Sequence, residues 1–172
     1  MLKLAGCICI LAASTGMAYS GILRLRMELY QIETLMDLFT AVEGELAYCR
    51  CPLPELMERI AEHMPAPFNA ILEQSSRRME ENCEPDIPVL WADACEQHSV
   101  QLMVPKEAYE VLLRLGEVFA YSSLESSLKL LRFGQKKLEL LIEGRNAEFA
   151  GRRKVYCSLC YMAGLFLIIL LL

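Results

Sequence analysis

Residues that build strands are scarce in this chain. Threonine occurs three times and valine seven times in 172 residues, while leucine, glutamate, methionine and alanine dominate. Half-buried strands draw on β-branched side chains, and straight-chain residues lose little rotamer freedom in a helix, so an all-α chain is expected. Histidine is nearly missing too. His63 and His98 are the only two, and neither has a Ser, Cys or Asp in a triad-like local motif. Each fits the end of a helix, where a cation is favoured. No G-x4-G-K-[ST] run exists to cradle phosphates, and Gly134-Gln135-Lys136 reads as a glycine inside a helix. Glu43 with Glu45, and Glu58 with Glu62, read as charged faces of surface helices rather than acid/base pairs. No catalytic, cofactor-binding or metal-ligating residue is assigned, and no cofactor is expected.

Charge is missing altogether from both ends. The last 18 residues, Val155 to Leu172, carry none and follow directly on Arg152, Arg153 and Lys154. At about 1.5 Å per residue they would cover about 27 Å as a helix, close to the ~30 Å hydrocarbon core of a bilayer. The other end mirrors it: Leu4 to Leu23 is uncharged and is followed by Arg24 and Arg26. Basic residues flanking a span stay on the cytoplasmic side. The expected topology is therefore two transmembrane helices, residues 1–23 and 155–172, holding a cytoplasmic domain of residues 24–154 between them, with both termini outside. Leu4-Ala5-Gly6-Cys7 spells a lipoprotein-type box but has no apolar region ahead of it, and Ala18-Tyr19-Ser20 resembles a signal-peptidase site. The first span is read as retained. Ala12, Gly16 and Ser20 recur every four residues, as do Cys160 and Gly164, a spacing that lets helices approach closely in a membrane.

The middle holds all 22 acidic residues and 16 of the 17 basic ones, a net charge of −6. An acidic domain of this kind is a poor match for nucleic acid. Four of the eight cysteines, Cys7, Cys9, Cys157 and Cys160, fall in the spans; Cys49, Cys51, Cys83 and Cys95 face a reducing cytoplasm and are expected as free thiols. Those last four define the alternative from another class, a membrane-tethered thiol or metal enzyme. The spacings oppose it, since none of them with His63 or His98 makes a paired C-x2-C or H-x3-H set.

Six helices are expected. The first runs out of the span along a seam of Leu25, Leu29, Ile32, Met36, Phe39, Glu43 and Leu46 until Cys51-Pro52-Leu53-Pro54 stops it. Short helices follow over Pro54 to Met64, Pro67 to Asn82, Val89 to Gln97 with the only tryptophan, Trp91, and Pro105 to Tyr121. Ser122 and Ser123 make the last turn, with Glu125 in the first turn of a helix that presents Leu124, Leu128, Leu131, Gln135, Leu138, Ile142, Arg145 and Phe149 and enters the second span directly. The two long helices should run antiparallel, placing Glu43 near Lys136 or Lys137, and Glu33 near Arg145.

Both ends and several internal stretches carry a resemblance. Met1 to Gly6, Ala13-Ser14-Thr15-Gly16, Glu45-x-x-Tyr48, Pro52-Leu53-Pro54-Glu55-Leu56, Ile60-Ala61, Leu115-Gly116 with Ser122 and Glu125, and Lys154 to Leu159 with Gly164 together resemble the stage III sporulation protein AB family. The chain departs from that pattern at Cys51, Ala120, Ser123, Ser127 and Cys160. The resemblance implies a platform in the membrane channel complex between mother cell and forespore. It also implies similarity to the cytoplasmic domains of type II secretion and type IV pilus inner-membrane platforms; a general platform of those systems is the nearest alternative. The implied partners are a cytoplasmic secretion-type ATPase of the same operon, other channel membrane proteins and further copies of the chain. The expected contact surface is the membrane-distal end, Glu45, Tyr48, Pro52, Leu53, Pro54 and Glu55, meeting Ser122 and Glu125.

Overall fold

The computed structural model describes the backbone of residues 2–48, 51–81, 86–120 and 123–171, and the side chains of 23–48, 51–81, 86–120, 123–148 and Met162. Its elements are α1 (Leu2–Tyr48), α2 (Leu53–Ala61), α3 (Phe68–Glu81), α4 (Ile87–Gln97), a 3-10 turn (Ser99–Gln101), α5 (Lys106–Ala120) and α6 (Leu124–Leu171). The six α-helices come in the expected order, and no strand occurs among the described residues. α1 and α6 are continuous over 47 and 48 residues. Among the described residues no helix is long and apolar enough to cross a membrane. The uncharged segments that carry that expectation belong to α1 and α6, but their side chains, including those of Ala12, Gly16, Ser20, Cys160 and Gly164, lie outside the described ones.

Helix ends differ from expectation where proline chemistry was misjudged. α2 stops at Ala61, short of Met64, because His63 N and Met64 N bond only three residues back, to Ile60 O and Ala61 O at 3.1 and 3.2 Å. α4 starts at Ile87, two residues before Val89, with Pro88 in its first turn, where a missing N–H costs no intrahelical bond. The 3-10 turn after it has no sequence signal that was read.

The chain forms two compact units, one of residues 30–142 and one pairing 1–29 with 143–172. In the larger unit α1 buries Ile32, Leu35, Leu38, Phe39 and Val42, a wider face than the expected two-helix seam. Leu35, Leu38 and Val42 lie off that seam because α1 packs against more than α6 alone. α5 buries a wide face through Ala108, Val111, Leu112, Leu115, Gly116, Val118 and Phe119 and leaves Glu107, Glu110, Arg114 and Glu117 exposed on the other. Its contact with α4 centres on Trp91, whose indole N–H donates to Leu112 O at 2.8 Å and whose ring meets Phe119 edge-on at 5.6 Å.

The antiparallel run of α1 and α6 is visible inside this unit. Phe39 lies against Gly134, and one turn further along α1 Glu43 reaches back to Arg132 (Nε to Oε1, 3.1 Å) and Gln135 (Nε2 to Oε2, 2.9 Å). The partners differ from the expected Lys136 and Lys137. Arg132 and Gln135, three apart, share the face toward α1, whereas Lys136 turns to Glu139 at 2.7 Å and Lys137 to Glu110 of α5 at 3.8 Å.

In the smaller unit Arg145 meets Glu28 at 3.8 Å rather than Glu33, and Glu148 at 3.3 Å, while Arg24 stands 3.6 Å from Glu28. The expected register assumed that both apolar segments end at the same height. Five residues of helix, about 7.5 Å, separate that assumption from the observed pairing.

Candidate partner interface

Proline fixes the corner that carries most of the expected contact residues. Pro52 has extended backbone (φ −58°, ψ 147°) ahead of α2, and Pro54 occupies the first turn without leaving an N–H unpaired. The corner is tied inward by the buried Ser76 hydroxyl, which donates to Pro54 O at 3.1 Å, and by Leu53, which packs on the core. Outward it presents Pro52 and Glu55, both exposed. Tyr48, at the end of α1, is 90% exposed.

The structure brings Glu45 and Glu55 together through a residue the sequence reading did not single out. Arg59 places Nη1 3.5 Å from Glu45 Oε2 and Nη2 3.1 Å from Glu55 Oε1. Its place four residues after Glu55 was the available signal, because side chains at that spacing share one helix face. Ser122 lies outside the described residues, and Glu125 is exposed in the first turn of α6 with no hydrogen bond or ion pair to Tyr48 or Glu55 among the described residues. The turn before α6 is instead held by buried Ser127, whose hydroxyl lies 3.1 Å from Val118 O and 3.2 Å from Ser123 O.

Of the four cysteines of the middle segment, two are described. Cys51 is half-buried, Cys95 fully buried, and both are free; Cys49 and Cys83 lie outside the described residues. Burial pushes the Cys95 thiol up to about 12, which removes the thiolate needed for nucleophilic or metal chemistry at neutral pH. Burial likewise raises the phenol of Tyr109, with smaller contributions from Cys95 and Glu96. No group of three His, Cys, Asp or Glu that could hold a metal ion occurs among the described residues. The histidines sit just beyond helix ends, as expected: His63 Nδ1 is 3.1 Å from Arg59 O, and His98 Nε2 is 3.0 Å from Gln74 Oε1. Gln74 also donates to Gln97 Oε1 at 2.6 Å, so this group joins α3 to α4.

The corner thus combines two prolines, two carboxylates on one guanidinium and an exposed tyrosine. Comparison with known proteins places the fold that carries it. A family model described as Stage III sporulation protein AB matches residues 3–172. The chain belongs to the stage III sporulation protein AB family. The family member from Bacillus subtilis (strain 168) is 26% identical over 172 residues, covering all of both chains. A solved structure of stage III sporulation protein AB matches with a TM-score of 0.64 at 22% identity, covering 71% of this chain and 96% of that one, a likeness of fold. The resemblance carried by the two ends and the Pro-Leu-Pro-Glu corner is thus a true family relationship.

Proposed function

We propose that this chain is a non-catalytic membrane platform acting in sporulation, in the channel complex between mother cell and forespore. Two membrane-spanning ends hold its helical domain in the mother-cell cytoplasm, and the α1–α2 corner docks a cytoplasmic secretion-type ATPase. Family membership supports the sporulation role. Uncharged runs at both ends with basic residues at their inner borders support the topology.

The single observation that carries the docking surface is the solvent-facing Tyr48 beside the Glu45–Arg59–Glu55 group. Tyrosine is enriched among residues that dominate interface energetics, because it supplies a large rigid area with a polar tip. The carboxylates fix the sign of charge a partner must present. Exposed ion pairs of this kind hold the fold by only about 0 to 1 kcal/mol, so their alteration tests recognition rather than folding.

The experiment is a pull-down of the ATPase on the full-length chain. Tyr48→Ala and Glu55→Lys should each reduce capture by about fivefold or more, with far-UV circular dichroism unchanged. Undiminished capture by both variants removes the corner as the docking surface, and absence of capture by the unaltered chain removes the ATPase.

A further inference from the structure

A second surface, made by other residues, has the features of a built recognition groove. A pocket of about 170 Å³ opens between α1, α5 and α6. Its floor is Phe39, Val111, Val118, Leu130 and Gly134, and Phe133 forms one wall while remaining 61% exposed. A cavity of about 150 Å³ is enough to hold benzene, so this one admits a single aromatic or branched aliphatic side chain. Leu140, seven residues beyond Phe133 on the same side of α6, is 58% exposed. Two turns separate them, about 10.5 Å of axial rise.

The rim is cationic. Arg114 and Lys137 stand at the mouth. Arg114 makes no ion pair among the described residues, and Lys137 reaches only Glu110 at 3.8 Å. Between Glu125 and Glu139 α6 carries Lys129, Arg132, Lys136 and Lys137 and no carboxylate, in a middle segment whose net charge is −6. Arg132 and Lys136 are taken up by Glu43 and Glu139, so the charge at the pocket is that of its own lining, two cations and no carboxylate beside uncovered apolar surface.

We infer that this groove receives an acidic amphipathic helix of another protein. Apolar residues at i and i+7 would fill the pocket and cover Leu140, and flanking carboxylates would face Arg114 and Lys137. Helix-in-groove recognition uses this anchor spacing. Charge complementarity sets the on-rate and the choice of partner. A second copy of the chain fits less well. Its acidic face, Glu58 of α2, Glu62 just after it, and Glu73 and Glu80 of α3, offers carboxylates, but no large apolar side chain of these two helices is exposed to enter the pocket.

The test places a photoreactive benzoylphenylalanine at position 133 of the full-length chain in the cells that produce it, with the same probe at Arg77 as control. Mass spectrometry then locates the crosslinked residue. An adduct on an apolar residue flanked by carboxylates in a helical segment of a different protein, absent from the control, is the expected result. Arg114→Glu combined with Lys137→Glu should reduce it about tenfold with the thermal melt unchanged. An adduct on a second copy, on lipid or on a segment without carboxylates overturns the inference, as does an adduct that survives the charge reversal or a yield no higher than the control's. The α1–α2 corner shares no residue with this groove, so the two surfaces fail independently.

Discussion

Two helical glycines with the same intrinsic penalty should respond oppositely to alanine. Glycine inside a helix costs about 0.8 to 1.0 kcal/mol relative to alanine, because it surrenders more backbone freedom on folding. A Cβ added at Gly44 meets nothing within 4 Å, so Gly44→Ala should stabilise by about 1 kcal/mol and raise Tm by roughly 2 to 4 °C for a chain of this size. At Gly116 the new Cβ would sit 3.0 Å from both Cβ and Cδ1 of Trp91 and 3.1 Å from its Cγ. That indole is fully buried, pinned at one edge by its bond to Leu112 O and held against Phe119, so it has little room to give. Overpacking costs about 1 to 3 kcal/mol, and a strained indole bond adds to it, so the net loss should be about 1 to 2 kcal/mol despite the helix gain. Denaturant unfolding followed by circular dichroism and by fluorescence reads this directly, because Trp91 is the only tryptophan. Gly134→Ala should be destabilising as well, by at least as much as Gly116→Ala, because its Cβ would run into the ring of Phe39, a buried core side chain. A Gly116→Ala chain as stable as Gly44→Ala, with unchanged Trp91 emission, would refute the reasoning.

The Glu43 carboxyl is held below the usual carboxylate value of 4.5, first by its bond from Gln135 and then by Arg132. A depressed folded-state pKa adds stability that is present above the unfolded value and lost as pH falls through the folded one. Glu43→Gln should therefore lower the denaturation midpoint slightly at pH 7, by about 0 to 1 kcal/mol, and lack part of the acid-side decline below pH 4.5; parallel acid profiles for variant and parent would refute this. A thiol reagent applied to the native chain at pH 8, mapped by mass spectrometry, should modify Cys51 well before Cys95, whose thiol ionises only near 12. Equal labelling rates in the native state would show that Cys95 is not sealed in the core. Because the Cys95 pKa is raised on folding, stability should also fall as pH climbs from 9.0 toward about 12, where only the unfolded thiol ionises.

Much of the architecture could be read from the chain because it rests on local signals. Scarce threonine and valine excluded strands, prolines at 52, 54, 65, 67, 88 and 105 punctuated the short helices, and steps of three and four traced α1 and α6. What could not be read depends on three-dimensional neighbours. A seam pattern predicts burial against one partner, so Leu35, Leu38 and Val42 were missed on α1, where several helices close in. The register of the long helices was set up to five residues off because it was counted from the apolar ends, while side-chain reach across the pair decides it. At the contact surface the carboxylates and Tyr48 were legible as exposed polar and aromatic residues beside a proline corner. Arg59 was not noticed, although its place four residues after Glu55 marked it. The α5–α6 groove had no signal in either helix alone, since Arg114 and Phe133 become neighbours only through the fold.

The interior uses its few polar groups at joints between elements. Ser76 ties α3 to the α2 corner, Ser127 ties α6 to the end of α5, and Trp91 ties α4 to α5. Gln31 donates from Nε2 to Gln101 O at 3.1 Å and accepts from Met103 N, holding the loop after the 3-10 turn against α1. Among the described residues every buried side-chain nitrogen or oxygen has a partner. An unpaired buried polar group costs about 1 to 3 kcal/mol, so each of these bonds penalises the alternative packings that would break it. Their hydrogen-bonding capacity goes into fixing which helix lies against which. The proposed contact groups are on the outside, Tyr48 with its carboxylates at one corner and Arg114, Phe133 and Lys137 at the groove. On the reading proposed above, the corner meets its partner through carboxylates and the groove through cations, so one partner cannot satisfy both with the same segment.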